Sequence, residues 1–219
     1  MRAVRAVLFD LDGTLIDSAP DLAAAGNEMR TCRGLPPLPY ELFRPMVGSG
    51  ARGMVGIALG VGPADGTFVA LRDEFLQRYE ARMTQDTVVF TGVWPVLESM
   101  HAARLPWGIV TNKATRFAAP LVQHLGLHRA AALVCGDTTP RAKPHPDPLI
   151  EAARLLGLDA RNCVYVGDDL RDVQAGKAAS MQTIAVRWGY LGVGDPVDRW
   201  GADHIVETPA GLLKLLGLD

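Results

Sequence analysis

The chain has 219 residues, 48% of them hydrophobic and 21% charged, enough to bury one full core and to carry a smaller accessory unit. A formal net charge of −2 lacks the basic excess of a nucleic-acid groove, so no nucleic-acid partner is expected and an anionic ligand must be met by a local site. The scattered Cys32, Cys135 and Cys163 form neither a CxxC motif nor a disulfide framework, and neither a span of ~20 apolar residues nor a signal-peptide pattern occurs; free thiols, no membrane partner and a cytoplasmic location are expected.

The first predicted element is a strand over Val4 to Phe9, a short apolar run that stops at Asp10, as in a buried parallel sheet. Asp10-Leu11-Asp12-Gly13-Thr14 follows it directly. Two carboxylates two residues apart on a tight turn give a candidate nucleophile, Asp10, and a candidate general acid/base, Asp12, with backbone N–H groups close to an anion. A plain Asx turn or a calcium loop is the alternative, but the later carboxylates and closing glutamate of such a loop are missing. From about residue 17 to 86 the strand signal gives way to helical stretches, such as Phe68 to Tyr79. This is read as a helical cap inserted after the first strand, lying over the carboxyl edge of the sheet as a lid. Residues 1–16 and 87–219 then form the core. Gly48-Ser49-Gly50-Ala51-Arg52-Gly53 matches the spacing of a dinucleotide fingerprint, but without a preceding strand it carries no such expectation.

Past the insert, Trp107 to Val110 reads as a second strand ending at Thr111-Asn112, and Cys163 to Val166 as a third ending at Gly167-Asp168. Between them a helix is predicted over Asp147 to Leu156, opened by Asp147 with proline in its first turn and closed by Gly157. Alternating strands and helices imply an α/β fold, a Rossmann-like doubly wound parallel sheet, in which Asp10, Thr111 and Asp168 converge beyond the strand ends. Gly136-Asp137-Thr138 imitates an acidic strand end but sits before Lys143.

With these motifs on the page, the sequence resembles the haloacid dehalogenase superfamily, whose first motif is a hydrophobic strand ending in DxDGT. The resemblance covers nearly the whole chain: Thr111 matches the phosphate-contacting Ser/Thr, Lys143 in Arg141-Ala142-Lys143-Pro144 the lysine of the third motif, and Asp168 the acidic fourth. It implies phosphate transfer through a phosphorylated Asp10. A phosphate dianion beside several carboxylates is repelled by about 4 kcal/mol per unit-charge pair at 4 Å and an effective dielectric near 20, so a cation is required. Mg²⁺ suits the side chains of Asp10 and Asp168 and the backbone carbonyl of Asp12, as in the family. Lys143 adds positive charge and Thr111 a donor for the transition state, and Asp12 protonates the leaving alkoxide. Asp172 is expected to steady the metal waters or Lys143 from behind. Asp169 either reaches the metal shell or starts the next helix. Asn112 is a candidate substrate contact, as is Lys113 beside it.

Asp12 argues against a dehalogenase, which needs no proton for its leaving halide, and the absence of lysine from residues 17 to 86 argues against a phosphonatase. Asp10 to Leu22 and Lys143 to Leu149 resemble the phosphoglycolate phosphatase branch. GSGARGMV, GDDLRDVQAG and RWGYLGVGDPVDRWGAD resemble more the related phosphatases of N-acetylmuramic acid 6-phosphate. The expected partner is a small phosphate ester bearing a carboxylate, with Arg52 as the candidate partner of that carboxylate. A phosphosugar mutase with Arg52 on a distal phosphate, or a non-catalytic phosphate-binding protein, is the alternative. A monomer or homodimer fits either.

Overall fold

Four buried residues, Ala6–Phe9, form the strand β1 that the rest of the sheet flanks. The computed structural model describes residues 4–219, so residues 1–3 of the expected core lie outside the described residues, and the strand starts two residues later than its apolar run. Chain order continues with β2 (Ile16–Asp17), α1 (Ala19–Thr31), α2 (Tyr40–Phe43), α3 (Gly50–Leu59), α4 (Phe68–Arg82) and β3 (Val88–Val89). Then come α5 (Val93–Ala102), β4 (Trp107–Val110), α6 (Thr115–His124), β5 (Leu133–Val134), α7 (Asp147–Leu155) and β6 (Cys163–Gly167). The chain closes with α8 (Leu170–Ala178), β7 (Gln182–Val186), β8 (His204–Val206) and α9 (Pro209–Leu216).

The main sheet has six parallel strands in the order β5-β4-β1-β6-β7-β8. Phe9 of β1 stands between Ile109 of β4 and Val166 of β6. Side chains alternate across each strand, and both faces are covered, which is why the strands read as continuous apolar runs. Val7, Phe9, Ile109 and Val166 join one core cluster with Leu97 of α5 and Leu121 of α6. Ala6, Leu8, Val110 and Tyr165 join another with Leu149 of α7 and Ala175 of α8. Strand order reverses on the two sides of β1, so the residues after β1, β4 and β6 share the crevice where such sheets bind ligands.

Helices α1 to α4 pack on one another around Leu22, Met29, Phe43, Met54, Phe75 and Tyr79, which extend the first core cluster above the sheet. Two crossings connect them to the sheet, and β2 pairs antiparallel with β3 there. The buried Asp21 of α1 stitches the crossings together by accepting from Asp86 N–H (3.0 Å), Thr87 N–H (2.9 Å) and the Thr87 hydroxyl (2.8 Å). The helix predicted from Phe68 runs on to Arg82, whose guanidinium reaches Asp21 at 3.4 Å. Asp147 begins α7 but does not cap it, being paired with Arg141 and His145 instead. The glycine-rich segment that mimics a dinucleotide fingerprint is the entry into α3, preceded by a 3₁₀ turn over Arg44–Ser49.

Candidate active site

Asp10, Thr111 and Asp168 sit on the carboxyl ends of β1, β4 and β6 and line one cavity of about 280 Å³ together with Lys143. The turn after β1 lies directly on Asp168. A Cβ on Gly13, at φ +89°, would fall 2.2 Å from the Asp168 Oδ2, so the motif needs glycine both for its backbone and for its closeness to the carboxylate. Thr14 then donates its hydroxyl to Asp168 Oδ1 (2.9 Å), and the Tyr190 N–H donates to Oδ2 (2.8 Å). Asp10 Oδ1 accepts the Leu11 N–H (2.7 Å) and stands 2.9 Å from Lys143 Nζ. Burial outweighs Lys143 and pushes the Asp10 carboxyl up to about 7. Burial, with Asp10 and Asp172 nearby, raises Asp168 well above the carboxylate range too.

Lys143 is buried and fully engaged: besides Asp10 it donates to Asp172 (2.8 Å), the Tyr165 hydroxyl (2.8 Å) and the Val110 carbonyl (3.1 Å). Burial opposes its charge, but Asp10 and Asp172 prevail and raise its pKa. Asn112 lines the cavity and also has a supporting role. Its amide donates to the Lys143 carbonyl (2.9 Å) and accepts the Lys143 N–H (2.9 Å), so it holds the backbone that delivers the lysine. The buried Thr111 accepts the Lys113 N–H on its hydroxyl oxygen (3.1 Å), leaving the hydroxyl proton free for a ligand.

Asp10, Asp168 and Asp172 bring carboxylate oxygens within 4.8 Å of one another. Asp172 has both oxygens in use, one on Lys143 and the other on the Asp169 N–H (3.0 Å). Asp168 meets only neutral donors and the contacts of Asp10 fall on its Oδ1, so these two carboxylates are the ones left for a hard cation, and burial is the main reason both pKa values are raised. The donor set fits Mg²⁺. Asp169 resolves the question left by its position: its side chain caps α8 in a reciprocal box with Asp172 and pairs with Arg171 (2.7 Å). Arg171 in turn donates to the Gly48 carbonyl of the helical insert.

The Asp12 side chain lines the same cavity but takes different partners. It accepts from the Ser18 hydroxyl and from Lys113 Nζ, which reaches both of its oxygens (2.9 and 3.0 Å). Lys113 also lies 4.9 Å from the centre of the Tyr79 ring on α4. Burial works against the Lys113 charge, and Asp12 and Tyr79 outweigh it and raise its pKa. Arg52 is not brought to the site: it is exposed on the first turn of α3, outside the cavity lining, because Gly50 and Ala51 occupy that turn's inner face. The expected carboxylate contact, and the distal phosphate contact of a mutase, lose their residue. The arginines that do line the cavity are Arg116 and Arg171. Sequence reasoning passed over both, along with Ser18 and Tyr190. The scarcity of lysine did mark Lys113, but nothing local told that it reaches Asp12. Gly136, in the segment that imitates the fourth motif, lets the Asn112 backbone approach to where a Cβ would be 2.2 Å from its carbonyl oxygen, and Asp137 accepts the Thr115 N–H (3.0 Å) at the start of α6.

This geometry joins an acidic pair on the first strand end, a hydroxyl on the second, a buried lysine and an acidic fourth corner. The haloacid dehalogenase-like hydrolase family matches residues 7–186, and the chain belongs to it. It is similar to the N-acetylmuramic acid 6-phosphate phosphatase of Pseudomonas putida, with 44% identity over 214 residues, 97% of this chain and 96% of that one. To the phosphoglycolate phosphatase of Xanthomonas campestris pv. campestris it is 47% identical over 214 residues, again 97% and 96% of the two chains. The crystal structure of a predicted phosphoglycolate phosphatase from Haemophilus somnus superposes with a TM-score of 0.86 at 26% identity, covering 98% of this chain and 99% of that one. The chain is an enzyme of the phosphatase class, as these relatives are.

Proposed function

We propose that the chain is a Mg²⁺-dependent phosphomonoester hydrolase that works through an aspartyl-phosphate on Asp10. The observation that carries this is the convergence of Asp10, Thr111, Lys143 and Asp168 on one cavity floor. Asp10 Oδ attacks phosphorus and the bond to the ester oxygen breaks, and Asp12 acts as the general acid that delivers a proton to the departing alkoxide. Asp12 then takes a proton from water as the oxygen of that water attacks the phosphorus, releasing inorganic phosphate and restoring Asp10. The Thr111 hydroxyl donates to the phosphoryl oxygens, and the Lys143 ammonium stabilises the negative charge electrostatically as it develops. The side chains of Asp10 and Asp168 and the Asp12 carbonyl would hold Mg²⁺, which would supply charge neutralisation between phosphate and carboxylates. Asp172 orients Lys143, and Asn112 fixes its backbone.

The helices of residues 17–86 serve as the cap and residues 87–219 with the first strand as the core, with water excluded by the cap during turnover. The setting is cytoplasmic, consistent with three free cysteines, two of them buried. The substrate is a carboxylate-bearing phosphate ester. Identities of 44% and 47% do not separate the two named substrates, but Leu22, Val47, Phe75 and Leu76 give the cavity an apolar wall beyond the needs of a two-carbon acid. That wall favours N-acetylmuramic acid 6-phosphate slightly over 2-phosphoglycolate. Phosphate release from both esters, with and without Mg²⁺ and with Asp10→Asn as control, tests the proposal. Metal-dependent turnover that vanishes in the variant is expected, and turnover that survives Asp10→Asn would refute the nucleophile.

A further inference from the structure

Among the described residues five carboxylates and four cations line the cavity, and their pairings leave one group of each sign over. Lys143 stands between Asp10 and Asp172, Lys113 holds Asp12, and Arg171 holds Asp169. Asp168 is bonded by neutral donors, the Thr14 hydroxyl and the Tyr190 N–H, and is the anion left for a metal. Arg116 is the cation left over. Among the described residues no carboxylate pairs with it, and its guanidinium lies over the Phe117 ring, 4.4 Å from the centroid. Phe117 is itself buried against Tyr79 of α4, at 5.5 Å between ring centres. A guanidinium resting on a fixed aromatic face has its plane set in advance and its N–H edges free, which suits a planar two-oxygen anion.

Position points the same way. Arg116 is three residues beyond Lys113 along the wall and is exposed where Lys113 is 9% exposed, so it stands at the mouth while the lysine stands near the floor. Tyr79 is buried on the same wall beside Lys113, whose ammonium lies 4.9 Å from its ring centre. We infer that Arg116 determines specificity by binding the carboxylate of the substrate, at the end remote from the phosphate that the floor holds. The inference rests on the phosphatase reading above and gives its acidic substrate a recognition residue.

The test compares matched esters that differ in the carboxylate: N-acetylmuramic acid 6-phosphate against N-acetylglucosamine 6-phosphate, and 2-phosphoglycolate against 2-hydroxyethyl phosphate. For Arg116→Ala the ratio of kcat/KM, acidic over neutral ester, is expected to fall about 10- to 100-fold, the range of a charge-assisted hydrogen bond, mainly through KM. Arg116→Lys should recover part of it, and Arg52→Ala should leave the ratio where it was. An unchanged ratio in Arg116→Ala, whether both esters fall equally or neither falls, overturns the inference. Absence of hydrolysis by the wild-type chain would instead sink the phosphatase reading. Thermal-shift titration of the Asp10→Asn chain with the same ester pairs then decides on Arg116: the preference for the acidic ester must disappear when Arg116→Ala is added, and its persistence refutes the role.

Discussion

On the floor of the cavity the buried charges are matched almost one to one, each held by a partner within about 3 Å, whereas the helices above present mainly Leu22, Val47, Ala51, Phe75 and Leu76. Floor and roof are therefore governed by different terms. Buried charge pairs tolerate the loss of a partner badly, because the remaining charge stays desolvated. An apolar wall tolerates exchange of similar volumes, so it can be reshaped for another substrate without disturbing the chemistry below.

That contrast can be broken most severely at Asp10. Asp10→Asn should lower kcat by roughly four orders of magnitude or more, since the nucleophile acts as a unit with its neighbours, and phosphate release reads the loss. Next comes Lys143→Met, which leaves the buried Asp10 and Asp172 facing each other: a loss of about 3–5 kcal/mol in urea unfolding is expected, along with loss of turnover. A change of comparable size in the helices above the floor, Leu76→Met, should cost under about 1.5 kcal/mol and alter KM more than kcat. A costlier Leu76→Met than Lys143→Met would reverse the contrast.

Asp10 also carries a pH signature. Its pKa of about 7 in the folded chain against the ordinary 3.8 means that the folded state binds this proton more tightly. Its contribution to stability therefore falls as pH rises from about 4 to 7, and at pH 8 the ionised, buried carboxylate is a full cost. Without Mg²⁺ at pH 8, Asp10→Asn should melt a few degrees above the wild-type chain, and at pH 4 the difference should close. Added Mg²⁺ should raise the wild-type Tm more than that of the variant. The smallest effect is expected at Asp169→Ala, which removes the α8 cap for about 1 kcal/mol in the same unfolding assay.

The same division explains what could be read in the sequence. β1, β4 and β6 are buried on both faces and stop at polar residues, so Asp10, Thr111 and Asp168 could be placed at one edge from local pattern alone. Lys143 was legible through its motif. β5, with only two residues, and β8, with three, are too short to give a periodic signal. The roof depends on how α1, α3 and α4 pack on the core across long sequence separations, and no local pattern reports which side of α3 faces inward. Arg52 accordingly sits on a turn that leaves it outside the cavity, while Arg116, in an ordinary first helical turn, gave no sign until Phe117 and the cavity were in place. Asn112 was adjacent to the right motif, but its use as a clamp on Lys143 needs the 31-residue return of the chain.

The most direct test of the central claim is to quench turnover rapidly in acid and locate the phosphoryl group by peptide mass mapping. A base-labile phosphoryl adduct on Asp10, formed only with Mg²⁺ and accumulating when Asp12 is replaced by asparagine, is the predicted result. Phosphate release at full rate with no adduct on Asp10 under any quench time, and the same rate in Asp10→Asn, would contradict the account.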